Sequence, residues 1–203
     1  MKNLNHFSAN RAWMTGMLIM MLIGFSHDGW SQRSWGLEVR PGVNFPTSDL
    51  TTNTSLKTGF GVEGTVSYNF MTNLGVYGGW SWNRFSSDQS FAGPSMDFEE
   101  TGYTYGLQYF MPIGSSDSRL FFKGGGLWNH IEVENSNGEL IDDTGHGFGW
   151  QLEAGISLPL SDRWNIQPGI RYRSLSRDFS AGNTSFEANL NYLSLGVGIV
   201  RSF

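Results

Sequence analysis

The chain has 203 residues, 39% of them hydrophobic and 15% charged, which fits one compact domain and gives no case for disorder. Its formal net charge of −5 argues against a nucleic-acid partner, and the absence of Cys excludes a disulfide framework. Twenty-seven Gly beside 30 aromatic residues (15 Phe, 8 Trp, 7 Tyr) suit a Gly-kinked β architecture and serve a helical protein poorly.

In chain order, Lys2 and Arg11 precede the apolar run "MTGMLIMMLIGF" from Met14 to Phe25, and small and polar residues, "SHDGWSQ", follow it. That arrangement predicts a cleaved secretory signal over residues 1–31, cut after Ser31, with Gly29 and Ser31 as the small residues. At 12 residues the run is too short to cross a bilayer, which needs roughly 20. No Cys follows it, so a lipid-anchored cysteine is excluded. The remaining domain, residues 32–203, keeps 11 basic and 17 acidic residues, a net charge of −6. Exported without disulfides, it must draw its stability from strand pairing.

From residue 35 the pattern is alternation at period two, interrupted by polar stretches. Eight strands are predicted. The first sets Trp35, Leu37, Val39, Val43 and Phe45 against Gly36, Glu38, Arg40, Gly42 and Asn44. The second sets Phe60, Val62, Val66, Tyr68 and Phe70 against Gly61, Glu63, Thr65, Ser67 and Asn69. The third and fourth repeat the split over Leu74–Trp82 and Tyr103–Met111. In the fifth, Leu120–Trp128, three successive Gly blur the faces; placing Lys123 on the polar side leaves Leu120, Phe122 and Trp128 on the other. The sixth, Gly147–Leu158, opposes Phe148, Trp150, Leu152, Ala154, Ile156 and Leu158 to Gly149, Gln151, Glu153, Gly155 and Ser157. The seventh opposes Trp164, Ile166, Ile170 and Tyr172 to Asn165, Gln167, Gly169, Arg171 and Arg173, with Pro168 implying a bulge or a lost ladder bond. The eighth carries Leu193, Leu195, Val197, Ile199 and Phe203 opposite Ser194, Gly196, Gly198 and Ser202. Short turns near Met71–Asn73, Pro112–Ser118 and Pro159–Arg163 interleave with longer polar loops near Pro46–Thr58, Ser86–Glu100, Glu134–His146 and Ser176–Asn189, so all long loops fall at one end of a meander.

Period two leaves open which face is inside. A soluble barrel hides its apolar face, whereas a membrane barrel turns that face to lipid. Side-chain volume decides between them. An eight-stranded interior is barely wide enough for side chains to fill, and this apolar face carries bulky residues on every strand, while the polar face is mostly Gly, Ser, Thr and Asn. Aromatics also crowd the strand ends, where the interfacial girdles of a membrane barrel belong. The expected fold is therefore all-β, an eight-stranded antiparallel up-and-down transmembrane β-barrel. Its lumen is expected to hold a charge network of Glu38, Arg40, Glu63, Lys123, Glu153, Arg171 and Arg173, paired because an isolated buried charge is costly.

Over residues 32–203 this pattern resembles the small eight-stranded outer-membrane barrels of the OmpA/OmpX-like kind, especially the barrel-domain proteins of Bacteroidetes-type envelopes. Leu195, Val197, Ile199 and the terminal Phe203 resemble the family's C-terminal assembly signal, with Arg201 departing from it. The resemblance implies a Gram-negative outer-membrane location, periplasmic termini and extracellular long loops. It also implies outer-membrane lipid, lipopolysaccharide and the assembly machinery as partners, a monomeric state and a non-catalytic structural, envelope-integrity or surface-contact role. A narrow pore or hydrophobic-solute conduit is the alternative.

Some barrels of this size modify lipids, and two polar clusters of this chain carry residue types suited to chemistry. "DDTGH", Asp142–His146, with His130 nearby, places imidazole beside carboxylate as a general base requires. No Ser or Cys nucleophile stands in a recognisable motif, and the His and Ser motifs of lipid A acylase and deacylase barrels are not matched. Asp97, Glu99 and Glu100 in one loop, and Glu132, Glu134, Glu139, Asp142 and Asp143 in another, lack EF-hand spacing. The expectation is no enzyme, no cofactor and no metal.

Overall fold

The computed structural model describes residues 34–181 and 184–203, the side chains of residues 180, 181 and 184–186 excepted. The predicted leader, residues 1–31, lies outside the described residues. Nine strands follow in chain order: β1 (Ser34–Pro46), β2 (Gly59–Asn69), β3 (Leu74–Ser90), β4 (Gly93–Pro112), β5 (Arg119–Glu134), β6 (Leu140–Asp143), β7 (Gly147–Ser161), β8 (Trp164–Ala181) and β9 (Thr184–Ser202). Eight of them close a ring, β1–β2–β3–β4–β5–β7–β8–β9 and back to β1, every neighbour antiparallel. The closing seam between the first and last strands runs from Gly36↔Ser202 to Phe45↔Leu193. The four-residue β6 stands outside the ring and pairs only with β5.

Alternation along each strand fixes the two faces. On β1, Glu38, Arg40 and Asn44 are buried while Trp35, Leu37, Val39 and Val43 are exposed, and β9 repeats the division with Leu195, Val197 and Ile199 outward. Lys123 and Phe121 of β5 point inward, so the three glycines that follow do not shift the register. The outward rings cluster: Trp35 meets Tyr68 at 4.9 Å, Phe60 meets Trp82 at 5.5 Å, and Trp150 meets Tyr172 at 5.4 Å. Trp80, Tyr103, Trp128 and Phe148 are successive register partners across β3, β4, β5 and β7. Inside, the glycines leave room for long polar side chains: a Cβ on Gly198 would collide with Glu38 Oε1. At Pro168, which has no amide proton, the β7–β8 ladder is interrupted between Gly155↔Gly169 and Leu158↔Ile166 with the register unchanged, so a lost ladder bond and not a bulge accommodates it.

Two of the predicted loops are strands. The segment Ser86–Glu100 belongs almost wholly to β3 and β4, which turn through Phe91 and Ala92, and Ser176–Asn189 belongs largely to β8 and β9. These four strands run to 17, 20, 18 and 19 residues, whereas a tilted strand crosses a bilayer in about 9–11. Their excess lies beyond the aromatic band at the long-loop end, and there the polarity of the faces inverts. Phe85, Phe98, Leu127, Ile131, Val133, Leu175, Phe179, Leu190 and Tyr192 point inward and are buried. Arg84, Ser86, Asp97, Glu132, Ser176 and Glu187 occupy the outward positions. Water replaces lipid on the outside of this section, so the apolar side chains move to the inside. The sequence reads as a polar loop because the familiar face loses its apolar residues there.

The loop formed by residues 47–58 seals the wall where β1 and β2 have ended. Thr47 N–H donates to Asn191 O and Asn189 N–H to Leu50 O on one side, and Lys57 N–H donates to Ser86 O on the other, each at 2.8 Å. Leu50 caps the apolar plug from this loop, and the Phe91 ring lies 4.9 Å from Phe179 and 5.9 Å from Phe98. Phe98→Ala is expected to cost about 3–5 kcal/mol. The cost should read as a lowered urea midpoint for the heat-modifiable gel band in lipid vesicles, and protease should then cleave the long-loop end while the membrane portion stays intact.

Candidate functional site

The lumen is organised by carboxylates and cations that span it. Glu38 on β1 takes Arg40 Nε at 2.7 Å and pairs with Lys123 of β5. Arg40 Nη2 lies 2.9 Å from Glu153 Oε1 of β7 in an ion pair outside hydrogen-bond geometry. Arg171 on β8 reaches Glu153 Oε2 at 2.7 Å and, across the lumen, Glu63 Oε1 of β2 at 2.6 Å. Arg173 also pairs with Glu63 and sits 3.3 Å from Glu100 Oε2. All seven residues predicted for the network are buried in it, and the guanidinium of Arg40 and the ammonium of Lys123 also face the Phe121 ring at 5.5 and 5.4 Å.

Glu100 completes the set. Sequence analysis placed it in an acidic loop, but it points inward from β4, fully buried, and accepts hydrogen bonds from Tyr192 Oη and Asn83 Nδ2 at 2.6 Å and from Asn129 Nδ2. Its even-numbered alternation with Gly102, Thr104, Gly106 and Gln108 was the available signal. With it, four carboxylates face four cations, and the charges within the ion-paired set cancel. Neutral side chains link the layers: Gln151 Nε2 donates to Tyr77 Oη at 2.9 Å and to Thr104 Oγ1 at 2.6 Å, and Arg173 Nε donates to Gln151 Oε1 at 2.8 Å. Cavities of about 20 and 30 Å³ lie along the lumen, one beside Arg40, Glu63 and Arg171 and one at the short-turn mouth beside Gln108, Phe110 and Arg119. Each has room for about one water.

At the C-terminal end of β9, Leu195, Val197 and Ile199 are exposed on the outward face, and Phe203 is exposed as well. Arg201, the departure from the family signal, holds its guanidinium 5.6 Å over the Trp164 ring, a cation–π contact that lets a charge sit at the rim.

A second constellation lies on the outer wall beyond the aromatic band. Glu132 and Glu134, predicted in a loop, belong to β5, and β6 folds back to make Asp143 the register partner of Glu132. His130 Nδ1 lies 2.9 Å from Asp143 Oδ1 and 3.8 Å from Glu132 Oε1, and the His146 ring stacks on His130 at 4.4 Å. Burial pushes the Asp143 carboxyl up, but the hydrogen bonds from His130 and the Gly145 amide outweigh it and hold the group below its ordinary value. On the same wall Arg84 pairs with Asp97 at 2.7 Å and Glu99 at 2.8 Å. Partial burial raises Asp97, and the bonds from Ser86 and Arg84 reverse that and lower it. Burial and the neighbouring Glu99 charge raise Glu134.

A closed ring of eight strands, apolar outside and polar within, defines an integral β-barrel of the outer-membrane class. The chain belongs to the family described as outer membrane protein beta-barrel domain, whose sequence model matches residues 17–203. Among solved structures, it is similar to Neisserial surface protein A at 16% identity, covering 87% of this chain and 100% of that one, with a TM-score of 0.59. OprG from Pseudomonas aeruginosa matches at 14% identity, 85% and 96% coverage and a TM-score of 0.59. Outer Membrane Protein W from E. coli matches at 12% identity, 85% and 98% coverage and a TM-score of 0.52. At these identities the likeness is one of fold. No curated protein matches by sequence.

Glu63 is shared by the guanidinium groups of Arg171 and Arg173, as Glu153 is by those of Arg40 and Arg171. Glu63→Gln takes that charge from both, leaving Arg171 to Glu153 and Arg173 to Glu100, and breaking such a buried pair costs about 3–5 kcal/mol. A urea titration of the reconstituted barrel should show that loss, while Asp88→Asn, at the exposed pair with Lys57, should leave the midpoint where it was.

Proposed function

We propose that the protein serves the outer membrane without catalysis, as a closed structural barrel that supports envelope integrity and offers its long-loop end for surface contact. The carrying observation is the filled lumen: a neutralised charge network through the membrane section, followed by an apolar plug from Phe85, Phe98, Ile131 and Phe179. A solute would have to break several buried ion pairs and then displace a packed core. The short turns and both termini of the ring lie at one end, and the loop of residues 47–58, β6 and the strand extensions of β3, β4, β8 and β9 lie at the other, which supports periplasmic termini and an extracellular long-loop end. A ring with no open edge in its wall supports a monomer in contact with lipid and lipopolysaccharide. Leu195, Val197, Ile199 and Phe203 are exposed on the folded barrel, which supports reading them as a signal for the assembly machinery.

The test is reconstitution in planar bilayers. The closed reading expects no steady conductance from the native chain, with heat-modifiable migration on detergent gels and recovery in the outer-membrane fraction. A stable conductance that Arg171→Ala alters would instead establish a pore through the lumen.

A further inference from the structure

The outer-wall constellation has a chemistry that the closed barrel does not use. His130 and Glu132 stand two residues apart on β5 and so share its outward face, and the β5–β6 register sets Asp143 directly opposite Glu132. The ligand atoms of all three lie within 4.8 Å of one another. Nδ1 of His130 is flanked by two carboxylate oxygens, at 2.9 and 3.8 Å. In the metal-free chain His130 Nδ1–H donates to Asp143, and a divalent cation bound here would displace that proton and take the Nδ1 lone pair together with the two carboxylate oxygens. Ligands at about 2.1 Å from a tetrahedral metal stand about 3.4 Å apart, and the observed separations bracket that value.

The surroundings hold these groups in place. Asp143 Oδ1 accepts the Gly145 amide at 2.8 Å, and Thr144 Oγ1 accepts the Ile131 amide at 2.9 Å, which ties the segment carrying Asp143 to β5. Stacking on His146, at 15° between planes, restricts rotation of the His130 ring. Among the described residues, the ion pairs of this wall put Arg84 on Asp97, Glu99 and Glu134, and none puts a Lys or Arg on Glu132 or Asp143.

We infer that His130, Glu132 and Asp143 form a binding site for a divalent first-row transition metal of the Zn²⁺ class, which fastens β6 to the outer wall of β5. An imidazole with two carboxylates favours Zn²⁺, Ni²⁺ or Cu²⁺ over Ca²⁺ and Mg²⁺, which take oxygen ligands. Three protein ligands leave a fourth position for water. The inference is independent of whether the lumen conducts.

The experiment titrates the full folded chain, free of any affinity tag, with Zn²⁺ in detergent micelles by calorimetry. One equivalent should bind, Ca²⁺ in excess should not displace it, and His130→Ala and Asp143→Asn should each weaken binding at least tenfold. All variants must keep the heat-modifiable gel band, which separates loss of the site from loss of the fold. Zn²⁺ should also slow protease cleavage within residues 135–146 in the native chain and not in the variants. Equal Zn²⁺ affinity in native and variant chains, absence of binding, or equally tight Ca²⁺ binding would each overturn the assignment.

Discussion

Hydrocarbon gives a backbone amide no partner, and that constraint shapes the rest of the molecule. A sheet in lipid has to close, so the first strand must meet the last, and the β1–β9 ladder from Gly36↔Ser202 to Phe45↔Leu193 is the bond set that removes the final edge. Closure with eight strands leaves an interior that side chains alone can fill. The large apolar residues are thereby assigned to lipid, and the interior falls to glycine and to polar groups long enough to meet across it.

Filling that interior with charge is costly unless every ion is matched. Beside Arg40–Glu38 within β1 and Arg171–Glu153 between neighbours, most of the pairs join strands that are not neighbours in the sheet: Lys123 of β5 with Glu38 of β1, Arg40 of β1 with Glu153 of β7, and Arg171 and Arg173 of β8 with Glu63 of β2. Such cross-links oppose a slip of register, because moving one strand by a residue would turn its charge toward lipid. Past the aromatic band the same parity of positions carries Phe85, Phe98, Ile131 and Phe179 instead, since water on the outside makes an apolar interior favourable. One ring therefore contains two kinds of core, and the change occurs near Glu100 and Tyr192, which share a hydrogen bond at the border.

The eight wall strands and their facing were legible because the membrane section keeps a strict period of two with one face bulky and the other small. The charge network followed from that parity, including Lys123 despite the three glycines beside it. What was misread lies where the pattern inverts. Around Phe85 and Phe98 the apolar residues stand on the face that had been polar, amid Ser, Asp and Glu, so a reading that tracks one apolar face sees only a polar stretch. Glu100 was lost to a loop for the same reason. The meeting of His130 with Asp143 had no periodic signal at all, because it depends on a four-residue strand folding back along β5.

That fold-back raises a problem for closure, and Arg177 answers it. The β5–β7 ladder ends at Asn129↔Gly147, where β5 continues toward β6, and the β7–β8 ladder starts only at Gly149↔Leu175, so the head of β7 lies beyond the β8 ladder. Arg177 reaches in from β8 and donates to carbonyls of β5 and β7. Its Nε and Nη2 bond to Asn129 O at 2.9 and 2.7 Å, its Nη1 bonds to Phe148 O at 2.8 Å, and Nη2 also bonds to Gly147 O. A planar guanidinium spreads five donors over three nitrogens in a fixed fork, whereas an ammonium group offers three from one atom and has no second nitrogen to reach Phe148 O as well. The side chain thus takes over the work of the missing ladder, and the wall can part to send β5 outward with those carbonyls paired.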